Sequence, residues 1–240
     1  MSESVFFQTR GNFLFREPIV NIVYLSDASS AGGDSTNDKE RHFQVVCAVI
    51  IKHDLFPELE EFFGAMAEYL PEDGQDGTGE VHAMDMLKGE VVSSYGIPVV
   101  YGAIDRHRLS ETVFSTADPI DMAFRRCAEG IEKWFGEQAP DERGILIADE
   151  RDEWKSAVYK AFRRGRPAMP AAHNGQNGNG RKPLSHINDD MYFADSNASK
   201  GIQLANICGR AIFSHLTGGP DDGELYASIE NQVYFSTVGP

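Results

Sequence analysis

Cysteine, basic residues and long apolar runs are what this chain has least of. Its 240 residues hold only three cysteines, Cys47, Cys127 and Cys208, far apart and in apolar surroundings. That excludes a disulfide framework or a cysteine-based metal cluster and implies buried thiols in a reducing compartment. No apolar run approaches the roughly 18 residues a membrane span requires, and no basic segment followed by an apolar one stands at the start. The expectation is a soluble, cytoplasmic protein without a membrane partner. Lys and Arg total 22 against 37 Asp and Glu, a formal charge of -15. Non-specific coating of nucleic acid is therefore disfavoured, because its phosphates are gripped mainly by Lys and Arg. Also missing are a Gly-x-Ser-x-Gly elbow, a P-loop and a cysteine in an electropositive setting, which argues against a serine or cysteine hydrolase.

The basic residues that do occur are bunched. Lys155, Lys160, Arg163, Arg164, Arg166, Arg181 and Lys182 fall in the span from Lys155 to Asn188, which contains no Asp or Glu. Such a strip on an acidic body either steers a polyanion to one place or is simply a solvated helix end and loop.

The length suits one domain. Short runs rich in β-branched residues predict strands over Ile19 to Leu25, Phe43 to Ile51, Ile97 to Ile104 and Gly144 to Ala148, with a last core strand over His186 to Phe193. Helical spacing predicts helices over Leu55 to Leu70, over a short stretch to Lys88, over Pro119 to Phe135 and over Trp154 to Phe162. A closing helix follows Asp195, with Ile202, Ala205, Ile207, Ala211 and Ile212 on one face. Strands alternating with helices predict an α/β sheet flanked by helices, with a core over about residues 19–216. Alternating stretches at 1–18 and 224–240 predict peripheral hairpins, and these suggest a homodimer contact. Residues 165–183, rich in Gly, Asn and Pro, predict a mobile insertion.

The strands IVNIVYL and GILIA each run out at an acid, Asp27 and Asp149. If the two strands are neighbours, their carboxylates converge. At about 4 Å they would repel by roughly 4 kcal/mol at an effective dielectric near 20, so a counter-ion is needed. Mg²⁺ or Mn²⁺ is a natural one, since hard cations take oxygen ligands. Glu80 and His82, two apart on an extended segment, would point the same way and add a third carboxylate and a proton carrier. Taken singly, an acid at a strand end is more often a turn or capping residue. Gln203 and Asn206, three apart, put two amides on one side of the closing helix, where they either cap or serve a site.

Five blocks, YLSDASSAGG, FQVVCAVII, GEVHAMDML, ILIADE and MYFADSNASKGIQLAN, resemble the successive blocks of the domain of unknown function 3800 family over roughly residues 20–215. The last block is the most specific. The resemblance implies a ribonuclease H-like fold, a mixed sheet flanked by helices, and a metal-dependent nuclease or related phosphodiester hydrolase. It implies Asp27, Glu80 and Asp149 as metal ligands, Asn206 as a further one, and Asp27, Glu80, His82 and Asp149 as the catalytic set. Ser29, Asp195, Ser196 and Gln203 would lie on the substrate side, and Arg163, Arg164 and Arg166 would hold the nucleic-acid backbone. Two positions depart from the pattern. Ala28 stands where the family has Glu, and Asn206 where it has Asp. An amide oxygen can bind a metal but brings no charge, so Asp195, Asp85 or Glu150 would have to compensate. Otherwise the chain keeps the fold without turnover and acts as a binding module for nucleic acid or protein.

Overall fold

The computed structural model describes residues 20–29, 43–68, 78–108, 118–165, 184–219 and 223–239. Within them six strands form one mixed sheet: β1 (Val20–Ser29), β2 (Phe43–Lys52), β3 (Val99–Asp105), β4 (Arg143–Asp149), β5 (Ile187–Ala194) and β6 (Val233–Gly239). Their order across the sheet is β5-β4-β1-β2-β3-β6. β1, β2 and β3 form an antiparallel meander, while β4 lies parallel to β1, β5 parallel to β4, and β6 parallel to β3. Six helices accompany it: α1 (Phe56–Glu68), α2 (Thr78–Ser94), α3 (Pro119–Gln138), α4 (Asp152–Gly165), α5 (Lys200–Thr217) and α6 (Glu224–Ile229).

Strand β2 reads as an unbroken apolar run because both faces of the sheet are covered. Val46, Ala48 and Ile50 pack with Phe124, Ile131 and Phe135 of α3 and Trp154, Val158 and Phe162 of α4. Val45, Cys47, Val49 and Ile51, pointing the other way, pack with Leu59 and Phe63 of α1, Val91 and Val92 of α2, and Ile202, Ala205 and Ile212 of α5. The three cysteines are buried and unpaired, as their apolar settings implied. Among the described residues no helix is long and apolar enough to cross a membrane.

Three expectations change. The C-terminal stretch is not a hairpin: Leu225 and Ile229, four apart, are buried as on a helix, and only Val233–Gly239 is extended, as an edge strand. Glu80 and His82 lie on a helix, because α2 begins at Thr78. The extended spacing that would have aimed them together is absent. Finally, β1 runs on to Ser29, so Asp27 sits inside a strand. The apolar start of β2 offers ladder partners there, Val46 to Asp27 and Gln44 to Ser29, which outweighs the poor strand propensity of Ser and Asp. The expected N-terminal hairpin and the insertion after Gly165 lie outside the described residues.

Helix α5 lies close against the sheet. Ser199 caps its start through Oγ, and Gly218, at φ 70°, ends it in the left-handed conformation that suits glycine. Gly201 faces the ring of Tyr24, where a Cβ would collide. We predict that Gly201→Ala lowers stability by about 1–3 kcal/mol through overpacking, and that adding Tyr24→Leu recovers part of the loss. Urea midpoints of the wild type and both variants check this; an unchanged midpoint in the single variant would contradict the packing.

Candidate functional site

β1 and β4 are in register from Val20 opposite Arg143 to Leu25 opposite Ala148. Asp27 and Asp149 therefore leave the sheet at the same end. Both are withdrawn from water, with side-chain exposures of 9% and 4%. One arginine joins them. Arg151 donates through Nη2 to Asp27 Oδ1 and through Nε to Asp149 Oδ2, the latter at 2.9 Å. The same Nη2 reaches the Asp27 carbonyl at 3.3 Å. Both carboxylates thus lie within reach of a single planar cation, whose side chain is still 53% exposed.

Burial raises the pKa of Asp27, and the Asp149 charge pushes the same way. Arg151, foremost, and the backbone of Asp27 itself pull it down without cancelling the rise. Gln44 is buried, and its Oε1 accepts from Arg106 Nη2 at 3.0 Å. Neither Arg151 nor Gln44 was singled out from the sequence. Arg151 stands among Asp149, Glu150 and Asp152, where local charge gives no hint that it turns back toward β1. The signal that could have found it is a lone cation two residues past the strand acid, where the strand gives way to a helix.

The remaining candidates are spread out. Gln203 clamps the turn before α5, donating to the carbonyls of Ser196 (3.0 Å) and Asn197 (3.2 Å). Asp195 caps that turn, accepting from the backbone N–H of Asn197 at 2.9 Å and from its Nδ2 at 3.1 Å. Each of the three acids considered as compensation for Asn206 has a partner: Asp195 the turn, Glu150 Lys155 at 2.8 Å, and buried Asp85 Arg210 at 2.7 Å. Asn206 is half-buried on α5. Arg163 and Arg164 are exposed on α4, and Arg164 lies 3.8 Å from Asp121. The side chains of Ser29, Glu80 and His82, and all of Arg166, lie outside the described residues.

Position 28 has a packing reason to be small. Ala28 is buried, and a Cβ on Gly209 of α5 would stand 3.7 Å from the Ala28 Cβ. A longer side chain there would meet α5. As a metal centre, then, the described residues offer two carboxylates bridged by the half-exposed Arg151, and no group of three or more His, Cys, Asp or Glu side chains. This fits Mg²⁺ or Mn²⁺ held through one or two carboxylates with water and substrate phosphate, and does not fit a cage made by protein alone.

The raised pKa fixes the sign of a pH effect. The folded state holds the Asp27 proton more tightly than the unfolded chain, so this group favours folding at low pH and loses that contribution as pH rises through the raised value. We predict that the stability of wild type minus Asp27→Asn falls as pH rises above the ordinary carboxylate range of about 4. Arg151→Gln should steepen the fall and lower stability at pH 7 by about 1 kcal/mol, modest because the arginine is half exposed. Urea melts across pH test both, and a flat difference curve would contradict the assignment of the shift to Asp27.

The chain matches no model of a known protein family, and no curated protein matches it.

Proposed function

We propose that this chain is a divalent-metal-dependent phosphodiester hydrolase of ribonuclease H-like type, acting on nucleic acid through the Asp27–Asp149 pair. One observation carries the reading: two nearly buried carboxylates, from the same end of neighbouring parallel strands, share one cation that is itself exposed enough to leave. Also in support are the mixed sheet covered by helices on both faces and the block resemblance, which stands without a family-model match.

In this reading Asp27 and Asp149 would hold the ion. Bound Mg²⁺ or Mn²⁺ would supply polarisation of a phosphoryl oxygen and a water of lowered pKa. Arg151, released from the carboxylates, keeps its fork beside them and can donate two parallel hydrogen bonds to a phosphate. Asn206 can add a neutral oxygen.

A second reading has its own support. Arg151 already neutralises one of the two charges, and Ala28 and Asn206 stand where the resembled family has acids. On that reading the site keeps its arginine and the chain binds nucleic acid or a partner protein without cutting it.

With Mn²⁺ or Mg²⁺ the purified protein is expected to cleave RNA or DNA, and Asp27→Asn or Asp149→Asn should lower the rate at least about 100-fold, the scale of several kcal/mol of lost charge stabilisation. Calorimetry should show Mn²⁺ binding that either variant removes and Asn206→Asp tightens. No binding at millimolar Mn²⁺ by a folded wild-type chain would leave only the second reading.

A further inference from the structure

Helix α4 carries a stripe that the acid pair does not use. Lys155, Tyr159 and Arg163 are spaced four apart and so line one side of the helix. Under them lies Phe193 of the edge strand β5: Lys155 Nζ is 5.0 Å from its ring centroid and the Tyr159 ring 6.3 Å, tilted at 56°. Tyr159 is 38% exposed, one of the few large apolar side chains left in water. Lys160 and Arg163 are exposed and have no acidic partner among the described residues, whereas Lys155 is shared with Glu150. From Lys155 to the end of α4 there is no acid, in a chain of net charge -15.

The stripe shares a face of the sheet with Asp27. Phe193, Ala148 and Leu25 stand side by side across β5, β4 and β1, and Asp27 is two residues beyond Leu25, pointing the same way. Two strand spacings put Phe193 about 10 Å across the sheet from the strand that carries Asp27. α4 begins three residues after Asp149 and leads away from it.

We propose that this stripe is a track for single-stranded nucleic acid, which names the substrate class of the site above and rests on that reading for its purpose, though not for its binding. A base stacks on the open face of Tyr159, backed by Phe193, while Lys155, Lys160 and Arg163 take consecutive phosphates. Exposed aromatic rings interleaved with cations suit unpaired bases, whose faces are free, and not a duplex, whose bases are already stacked. Basic charge on an acidic body favours a polyanion at this place. A protein partner is disfavoured because, among the described residues of α4, Tyr159 is the one large apolar side chain left exposed, and Phe193 beneath it is half-buried.

The experiment is fluorescence anisotropy of a labelled oligodeoxythymidine of about fifteen residues, in EDTA and about 50 mM salt, against the full chain. Expected are saturable binding, a self-complementary hairpin duplex bound at least about tenfold more weakly, and about tenfold weakening by Tyr159→Ala with recovery in Tyr159→Phe. The double variant Lys155→Ala with Arg163→Ala should flatten the slope of log affinity against log salt by about 1.4, two phosphate contacts' worth. Absence of strand binding, duplex binding of equal strength, or affinity indifferent to Tyr159→Ala would each overturn the track. Hydrolysis of bis(p-nitrophenyl) phosphate with Mn²⁺, a substrate too short to reach α4, separates the two proposals. A chain that binds the strand but leaves this ester intact sinks the hydrolase and keeps the track, and the opposite pair of results does the reverse.

Discussion

The arginine bridge between Asp27 and Asp149 is the interaction on which this molecule's chemistry turns. Two carboxylates withdrawn from water at the end of neighbouring strands repel, and at short range in a medium of low effective dielectric that repulsion reaches several kcal/mol. A compact fold can keep both only with a positive charge between them. Arg151 supplies one from the chain itself, yet remains half in solvent, so the bond that makes the pair tolerable is also one that another cation could replace. The same residue therefore stabilises the protein and occupies its most chemically promising position.

Everything around the bridge is set by how closely α5 lies on the sheet. Gly201 admits the Tyr24 ring, and Gly209 stands over Ser26 and Ala28. That closeness sets buried Ala28 directly beneath the helix. The polar residues at the entry to α5, which look like site residues in the sequence, mostly hold the helix start: Asp195 and Gln203 close the turn that Ser199 caps. The acids that might have made up the missing charge are engaged elsewhere, so two carboxylates and one arginine are what the described end of the sheet presents.

Much of this architecture was legible in the residues. The five core strands and the helices between them follow from apolar runs and helical spacing, because a sheet buried on both faces demands continuous apolar strands and its cover demands one-sided helices. Asp27 and Asp149 could be named because an acid closing such a run is conspicuous. Glu80 and His82 could not be placed, since a few residues with mixed spacing leave the choice between helix and strand to the surroundings, and here α2 extends over them. The 224–229 stretch failed likewise: Leu225 and Ile229 fit a helix once a core is present to receive them.

By itself, then, the sequence determined the class of fold, the burial of the three cysteines, the placing of one acid on each of two neighbouring strands and the basic run after Lys155. These are local or compositional properties, decided by what a short segment can bury. Only the tertiary structure decided which charge answers which. It carried β1 past its expected end, brought Arg151 back across 124 positions to Asp27, and set Tyr159 over Phe193 beside the cations of α4. Pairings of that kind depend on strand order and helix placement, and no window along the chain contains them.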